Sequence, residues 1–592
     1  GLEGVQQKNP FNPGPDNPYL DMYEMLNKMK KNGLIGNLSA NYQLTENLGL
    51  MVRSGLDMSF EYRSQQRPFS MTKFPRGMFR EQNVFSYESN TDFLFSYKKT
   101  FGTRINFNAS AGANAMRQTY DFAGLYADQL AQPGVYQISN SLDQAVADPL
   151  KTKKAINSVY GATQFAFDEK IFLDLTGRND WSSTLPFANN SFFYPSVSTS
   201  FLLNEIFKMP EMISFAKFRA SWAQVGNDTR PYQTARYYDK IYGNNFTNPS
   251  TLFNADLKPE ITASYEIGLD LRLYKNRLGL DVAFYNNNSR NQILAVPLDP
   301  TSGFSNGLIN AGLINSKGAE VKLTGKPVKT NNFSWNTTAI WSRNRSYVKE
   351  LSADITNQTI YAHNTNVTIE ARVGGLMGDM YGRGFQRSPD GQIIYGTNGL
   401  PAQLDPTTKK WGNAFADWKG SISNEFAYKG VKLSVLIDGQ MGGDMYSQTS
   451  HKNNTLGKTK VTLPGRDGGL VGQGVVLQAD KTYTPNTVKV SAASYYDNYY
   501  QISNAETNIF DASYLKIREV RLDFKLPEKI FGKLGVRQTN IAFFGRDLFN
   551  FTKFPGFDPE GGNLNSGTLT PGVELTQFPS NRSIGANLTF KF

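Results

Sequence analysis

Apolar and polar positions alternate with a period of two over long stretches of this chain, which is the signature of strands with one covered and one polar face. Leu278, Leu280, Val282 and Phe284 alternate with Gly279, Asp281, Ala283 and Tyr285. Just before them Ile267, Leu269, Leu271 and Leu273 alternate with Glu266, Gly268, Asp270 and Arg272, and Lys275-Asn276 supplies a turn. The pattern predicts a hairpin of two strands of roughly ten residues each. Strands in soluble sandwiches usually run to about 5–6 residues. A membrane-crossing strand needs about 9–11.

The unit recurs. Leu38, Ala40, Tyr42 and Leu44 return through Leu48, Leu50 and Val52; Phe93, Phe95 and Tyr97 return through Ile105, Phe107, Ala109 and Ala111. Later hairpins pivot near Asn204–Met212, Pro327–Asn332, Tyr428–Gly430 and Pro527–Gly535. About 17 such strands are expected, joined alternately by short turns and by long connections at 64–82, 121–154, 181–192, 226–259, 291–312, 346–416, 441–512 and 551–580. One-sided long loops describe an all-β transmembrane antiparallel barrel of the bacterial outer membrane, with turns in the periplasm and loops outside. The final strand agrees: Ile584, Ala586, Leu588, Phe590 and Phe592 share a face, and such an aromatic end is what barrel-assembly machinery reads. One strand breaks phase, with Leu515 and Ile517 out of step with Val520, Leu522 and Phe524; a bulge near Arg518–Glu519 restores the register.

Topology adds a further expectation. With Phe592 in the periplasm and an odd number of strands before it, the first strand runs inward from about Leu34, so residues 1–33 belong to an extracellular loop segment. Single-chain bacterial barrels have even strand numbers, so residues 34–592 read as the C-terminal part of a larger barrel. The start at Gly1, with no charged and apolar leader, fits a processed product or a piece of something longer.

Composition narrows the chemistry. The 592 residues are 13% aromatic and only 19% charged, which is not the composition of a disordered chain. No apolar run approaches the roughly 20 residues of a membrane helix. Cysteine is absent and the two histidines, His363 and His451, stand far apart, so thiolate chemistry is excluded and neither a histidine dyad nor a zinc site is expected. The net charge of +11 is diffuse beyond Lys28, Lys30 and Lys31, and no nucleic-acid motif accompanies it.

Five stretches occur in a telling order: Arg178-Asn179-Asp180-Trp181-Ser182-Ser183; Leu257-Lys258-Pro259-Glu260 leading into Tyr265-Glu266-Ile267-Gly268; Asp438-Gly439-Gln440-Met441-Gly442-Gly443-Asp444; Ser513-Tyr514-Leu515-Lys516-Ile517-Arg518; and Gly545-Arg546-Asp547-Leu548-Phe549 followed by Phe557-Asp558-Pro559-Glu560. In these the chain resembles the SusC-like TonB-dependent transporters of the Bacteroidetes outer membrane. The resemblance implies a barrel of about 22 strands with a plugged lumen, and a SusD-like surface lipoprotein as lid. It also implies uptake of oligosaccharides or oligopeptides driven by TonB–ExbB–ExbD, lipid and lipopolysaccharide around the wall, and a dimer of such units. No cofactor, metal or catalytic residue is implied. The chain departs from the pattern at its front: plug, TonB box and about five strands are absent from it, so TonB would act indirectly, through a separate chain or missing segment.

Candidate contacts lie in the long loops. Tyr495, Tyr496, Tyr499 and Tyr500 form an aromatic cluster suited to stacking on sugar rings, to packing under a lid, or to packing within the loop; Trp411 and Tyr381 read the same way. Stacking favours glycans over peptides. Trp181, Trp335 and Trp418 fit an interfacial belt or loop anchors. The run Gly465–Gly474 lacks the Lys-Ser/Thr pair of a phosphate loop and reads as a mobile loop. Asp438 and Asp444 do not have calcium-loop spacing, and Asp558 with Glu560 gives no reason to expect acid/base chemistry. The reading is an importer subunit, against a passive diffusion channel or the barrel base of a secretion or adhesion complex.

Overall fold

The computed structural model describes residues 6–8, 16–235, 237–242, 245–352, 355–363, 366–527, 536–561, 563–565, 568–577 and 579–591. Among them are seventeen long strands: β1 Asn27–Gln43, β2 Leu48–Phe69, β3 Arg76–Phe101, β4 Ile105–Ala127, β5 Val146–Phe167, β6 Ile171–Ser182, β7 Ser191–Leu202, β8 Ile213–Asn227, β9 Glu260–Leu273, β10 Leu278–Pro297, β11 Asn306–Lys329, β12 Phe333–Glu350, β13 Trp418–Tyr428, β14 Val431–Met441, β15 Tyr514–Leu526, β16 Gln538–Thr552 and β17 Ser583–Lys591. No helix among the described residues is long and apolar enough to cross a membrane. The expected Pro527–Gly535 pivot and Phe592 fall largely or wholly outside the described residues.

The chain divides into two units, one of Gly1–Ser198, Ala223–Ile261 and Asn291–Asn310, the other of Thr199–Trp222, Thr262–Arg290 and Ala311–Phe592. In the first, β1 to β6 form an antiparallel meander. One row across it reads Ser39, Arg53, Asp92, Asn114, Ser158 and Asp180; the next reads Ala40, Val52, Phe93, Ala113, Val159 and Asn179. Because successive side chains point to opposite faces, period-two alternation gives this wall one polar and one mostly apolar side. The polar row is bonded laterally: Arg53 pairs with Asp92 at 2.9 Å, and Asn114 donates to Asp92 at 2.8 Å.

In the second unit β11 to β17 pair in chain order. The Lys275-Asn276 turn is as expected, with Tyr274, Lys275 and Asn276 all at positive φ (53°, 56° and 64°). The phase break is a bulge: Ile437 faces Ile517 while Leu436 faces Glu519, leaving Arg518 as the extra residue. Leu515 and Ile517 thereby rejoin Val520, Leu522 and Phe524 on the apolar face. Ile584, Leu588 and Phe590 stand opposite Gly545, Ile541 and Thr539 on one face of the last pair.

Most strands outrun the ten residues read from the pattern, β3 reaching 26. Alternation marks only the apolar band; beyond it the ladder continues through polar pairs such as Arg63 with Gln82 and Ser64 with Glu81. The same effect starts β1 at Asn27 instead of Leu34, since Lys31 pairs with Glu61 across the ladder at 2.8 Å. It also shortens the β2–β3 connection to residues 70–75.

Candidate functional site

Three long connections in the second unit, residues 351–417, 442–513 and 553–582, fold together. The first carries a four-stranded antiparallel sheet of Asn357–His363, Val367–Arg372, Asp379–Gly382 and Lys409–Asn413. The second supplies Asp444–Ser447, which pairs on one side with Ile509–Asp511 and on the other with Val573–Glu574 from the third. Their apolar residues make one core: Val367, Ile369 and Met380 from the first, Tyr446 and Ala505 from the second, Val573 from the third. Two carboxylates, buried Glu574 and half-buried Glu506, tie the pieces. Glu574 accepts from the Ser447 hydroxyl at 2.7 Å and the Thr449 amide at 3.0 Å, and Glu506 accepts from the Phe385 amide at 3.0 Å and pairs with Arg387.

The tyrosines belong to a second core. Helix α1, Ala492–Tyr499, is capped by Ser491, whose hydroxyl accepts from the Ser494 amide. Spacing of four stacks Tyr495 on Tyr499 (5.4 Å between centroids) and Tyr496 on Tyr500 (6.3 Å). Tyr495 and Tyr496 are buried with Tyr395 and Val476, and the Tyr395 and Tyr495 hydroxyls lie 3.2 Å apart. Burial pushes the Tyr495 phenol well above its ordinary pKa. Tyr499 and Tyr500 remain half-buried. Tyr381 is also buried, with the Arg372 guanidinium 3.6 Å over its ring, and half-buried Trp411 donates to the Gly382 carbonyl at 3.1 Å. These side chains, proposed from sequence as ligand or lid contacts, thus serve first to pack the loops.

The Gly465–Gly474 run, expected to be mobile, is fastened. Leu470 and Val471 pair with Val490 and Lys489, and Asn486 donates to the Gly472 carbonyl at 2.9 Å. Its glycines fit close approach: a Cβ on Gly472 would sit 2.2 Å from the Tyr395 ring. His451 is buried with Nδ1 2.6 Å from the Tyr500 carbonyl, so Nδ1 carries a proton, and burial lowers the pKa of the ring.

Beneath the loops, on the polar face of β14–β16, three of the five sequence stretches converge. Lys516, 3% exposed, donates to Asp558 at 2.7 Å and Glu560 at 2.6 Å. Arg518, thrust onto that face by the bulge, reaches Asp438 at 2.7 Å, Asp547 at 3.0 Å and Glu560 at 2.9 Å. Burial alone would raise the Glu560 pKa, but the hydrogen bonds and charges of Arg518 and Lys516 outweigh it and hold the carboxyl down at about 2. Asp558 and Glu560 therefore act as anchors of the third connection to the wall. Asp444 faces elsewhere, accepting from the Asn413 amide at 2.9 Å, with burial raising its pKa. Among the described residues no three or more His, Cys, Asp or Glu side chains are arranged to hold a metal ion.

The sign of the Glu560 shift fixes a pH window. A carboxyl with a depressed folded pKa stabilises fully above its unfolded value, here 4.5, and the contribution disappears as pH falls toward 2. Pepsin is expected to nick residues 553–561 increasingly from pH 4 to pH 2, and Glu560→Gln to flatten that dependence.

The first unit has a comparable fastening. Asp180 accepts from Arg178 at 2.7 Å and from the Tyr194 hydroxyl at 2.6 Å, while Asp228 takes Lys154 at 2.6 Å and Ser182 at 2.5 Å. Sequence flagged Asp180 through its motif. Asp228, Glu506 and Glu574 were missed, because a lone carboxylate in a long loop carries no spacing signal.

Residues 2–367 match the family model described as "TonB dependent receptor-like, beta-barrel". TonB-dependent receptor P39 of Formosa agariphila is 25% identical over 609 residues, covering 90% of this chain and 56% of that protein. TonB-dependent receptor SusC of Bacteroides thetaiotaomicron is 20% identical over 667 residues, covering 100% of this chain and 59% of its own length. Among solved structures, that of the RagAB peptide transporter superposes with a TM-score of 0.76 at 19% identity, covering 98% of this chain and 63% of that one. The chain thus spans about three fifths of the relatives it matches.

Proposed function

We propose that this chain, which belongs to the TonB-dependent receptor-like β-barrel family, supplies most of the barrel wall and the ligand-capturing outer loops of an active importer in a bacterial outer membrane. The family is one of receptors, not enzymes, and the importer's work is mechanical. The carrying observation is the arrangement of the second unit: a two-faced wall whose long connections, all at one end, fold into a head with its own core. An apolar outer face meets lipid and a polar inner face lines a passage. The head takes up an oligosaccharide or oligopeptide together with a SusD-like lipoprotein, and TonB pulls on a plug supplied outside these 592 residues. Ligand or lid contact is assigned within the aromatic set to Tyr499, Tyr500 and Trp411, a choice supported by their being only half-buried.

Denaturing electrophoresis with mass spectrometry of the detergent-purified complex tests this. Plug sequence, as further residues or a companion polypeptide, together with a lipoprotein is the expected result. A heat-modifiable barrel of this chain alone, conducting steadily without a plug, would instead make it a passive channel.

A further inference from the structure

The apolar face of the second unit's wall is hollowed at one place. One row across β11–β16 reads Val321, Trp341, Gly420, Gly439, Leu515 and Phe551, each opposite the next. The two glycines face each other between large side chains, and the surface there forms a groove of about 930 Å³ extended by Trp418 and Met441. The hollow is built in: a Cβ on Gly439 would lie 2.5 Å from the Tyr514 carbonyl oxygen.

The outer end of the groove is cationic. Arg343 stands opposite Ala319, two positions beyond Trp341 on the same face, and Lys317 lies two positions further out on β11; Lys553 lines the other flank. All three are exposed, and none has an ion pair among the described residues. The neighbouring Arg345 differs, being paired with Asp417. Asp511, which also lines the groove, is engaged by the Ser513 amide at 2.8 Å and hydroxyl at 2.5 Å. Smooth aromatic and aliphatic cover suffices for a wall that meets fluid lipid tails. A glycine-floored trough with unpaired cations at its headgroup end has the shape and charge of a site for one lipid.

Resting on the reading of this face as lipid-facing, we infer that the groove binds an anionic acylated lipid of the outer leaflet. An acyl chain lies over Gly420 and Gly439, and Arg343 and Lys317 hold its phosphate, with Lys553 closing the far flank. The partner is recognised by charge as well as by apolar area, so a zwitterionic lipid of the same chain length is held less well.

Native mass spectrometry of the intact complex in mild detergent, titrated with lipid A or with phosphatidylethanolamine, tests this. One retained lipid A per chain is expected under conditions that strip phosphatidylethanolamine. Charge reversal in Arg343→Glu with Lys317→Glu should lower lipid A retention about tenfold or more and leave phosphatidylethanolamine unchanged. Gly420→Leu, where a Cβ meets the Ile340 carbonyl at 3.3 Å and the Trp418 ring at 3.4 Å, should reduce retention of both lipids. Unchanged lipid A occupancy in the double variant, or equal retention of the two lipids by the parent, overturns the site. Heat-modifiability of every variant confirms folding. A chain that stays in aqueous solution without detergent would instead defeat the membrane-wall reading itself.

Discussion

Tyr446→Ala is expected to loosen all three outer connections of the second unit together. The ring is fully buried where the three meet, and its hydroxyl donates to the Ile502 carbonyl at 3.2 Å. Removing a buried aromatic side chain of this size costs about 3–5 kcal/mol, through lost transfer energy and the cavity left behind. That is a large part of what holds such a small core, so the loss should open the head while the strand ladders persist. Hydrogen exchange reads the outcome. Amides in Val367–Arg372, Asp444–Ser447 and Val573–Glu574 should lose protection in concert, and those of β1–β6 should not change. A loss confined to residues 444–455 would mean that the connections fold independently.

Lys516→Met is the second large effect. The ammonium is enclosed and shared by two carboxylates, so its removal leaves Asp558 and Glu560 facing each other with only Arg518 near. Losing the shared ammonium costs about 1–3 kcal/mol, because half-buried Asp558 is left without its partner while Glu560, 45% exposed, is screened by solvent. The expected phenotype is release of residues 553–561, read as rapid tryptic cleavage after Lys553. Adding Asp558→Asn and Glu560→Gln should restore most of the protection, since neutral groups carry little of that penalty. If the triple variant stays as labile as the single one, the lysine acts through packing against Tyr514, whose ring lies 4.7 Å away, and not through charge.

The wall was legible in the sequence because its physics is local. A covered face demands an apolar residue every second position, and even the bulge shows as a phase slip between Ile517 and Val520. The head was not legible, because its order comes from pairs far apart along the chain. The spacing of Tyr495 and Tyr499 announces one helix face, yet whether that face turns to solvent or inward depends on Tyr395, a hundred residues away. The motif residues Asp438, Lys516, Arg518, Asp547, Asp558 and Glu560 were each visible. Their convergence was hidden, since register between strands had first to place Asp438 beside Lys516.

The shared core of the three connections also sets the rule for making chimaeras. Val573 answers to Val367 and Tyr446, so a donor's second connection grafted alone would meet a mismatched seat on two sides. Swaps intended to retarget such a protein should therefore move residues 351–417, 442–513 and 553–582 as a single cassette, cut at the strand roots where β12–β17 keep the same spacing.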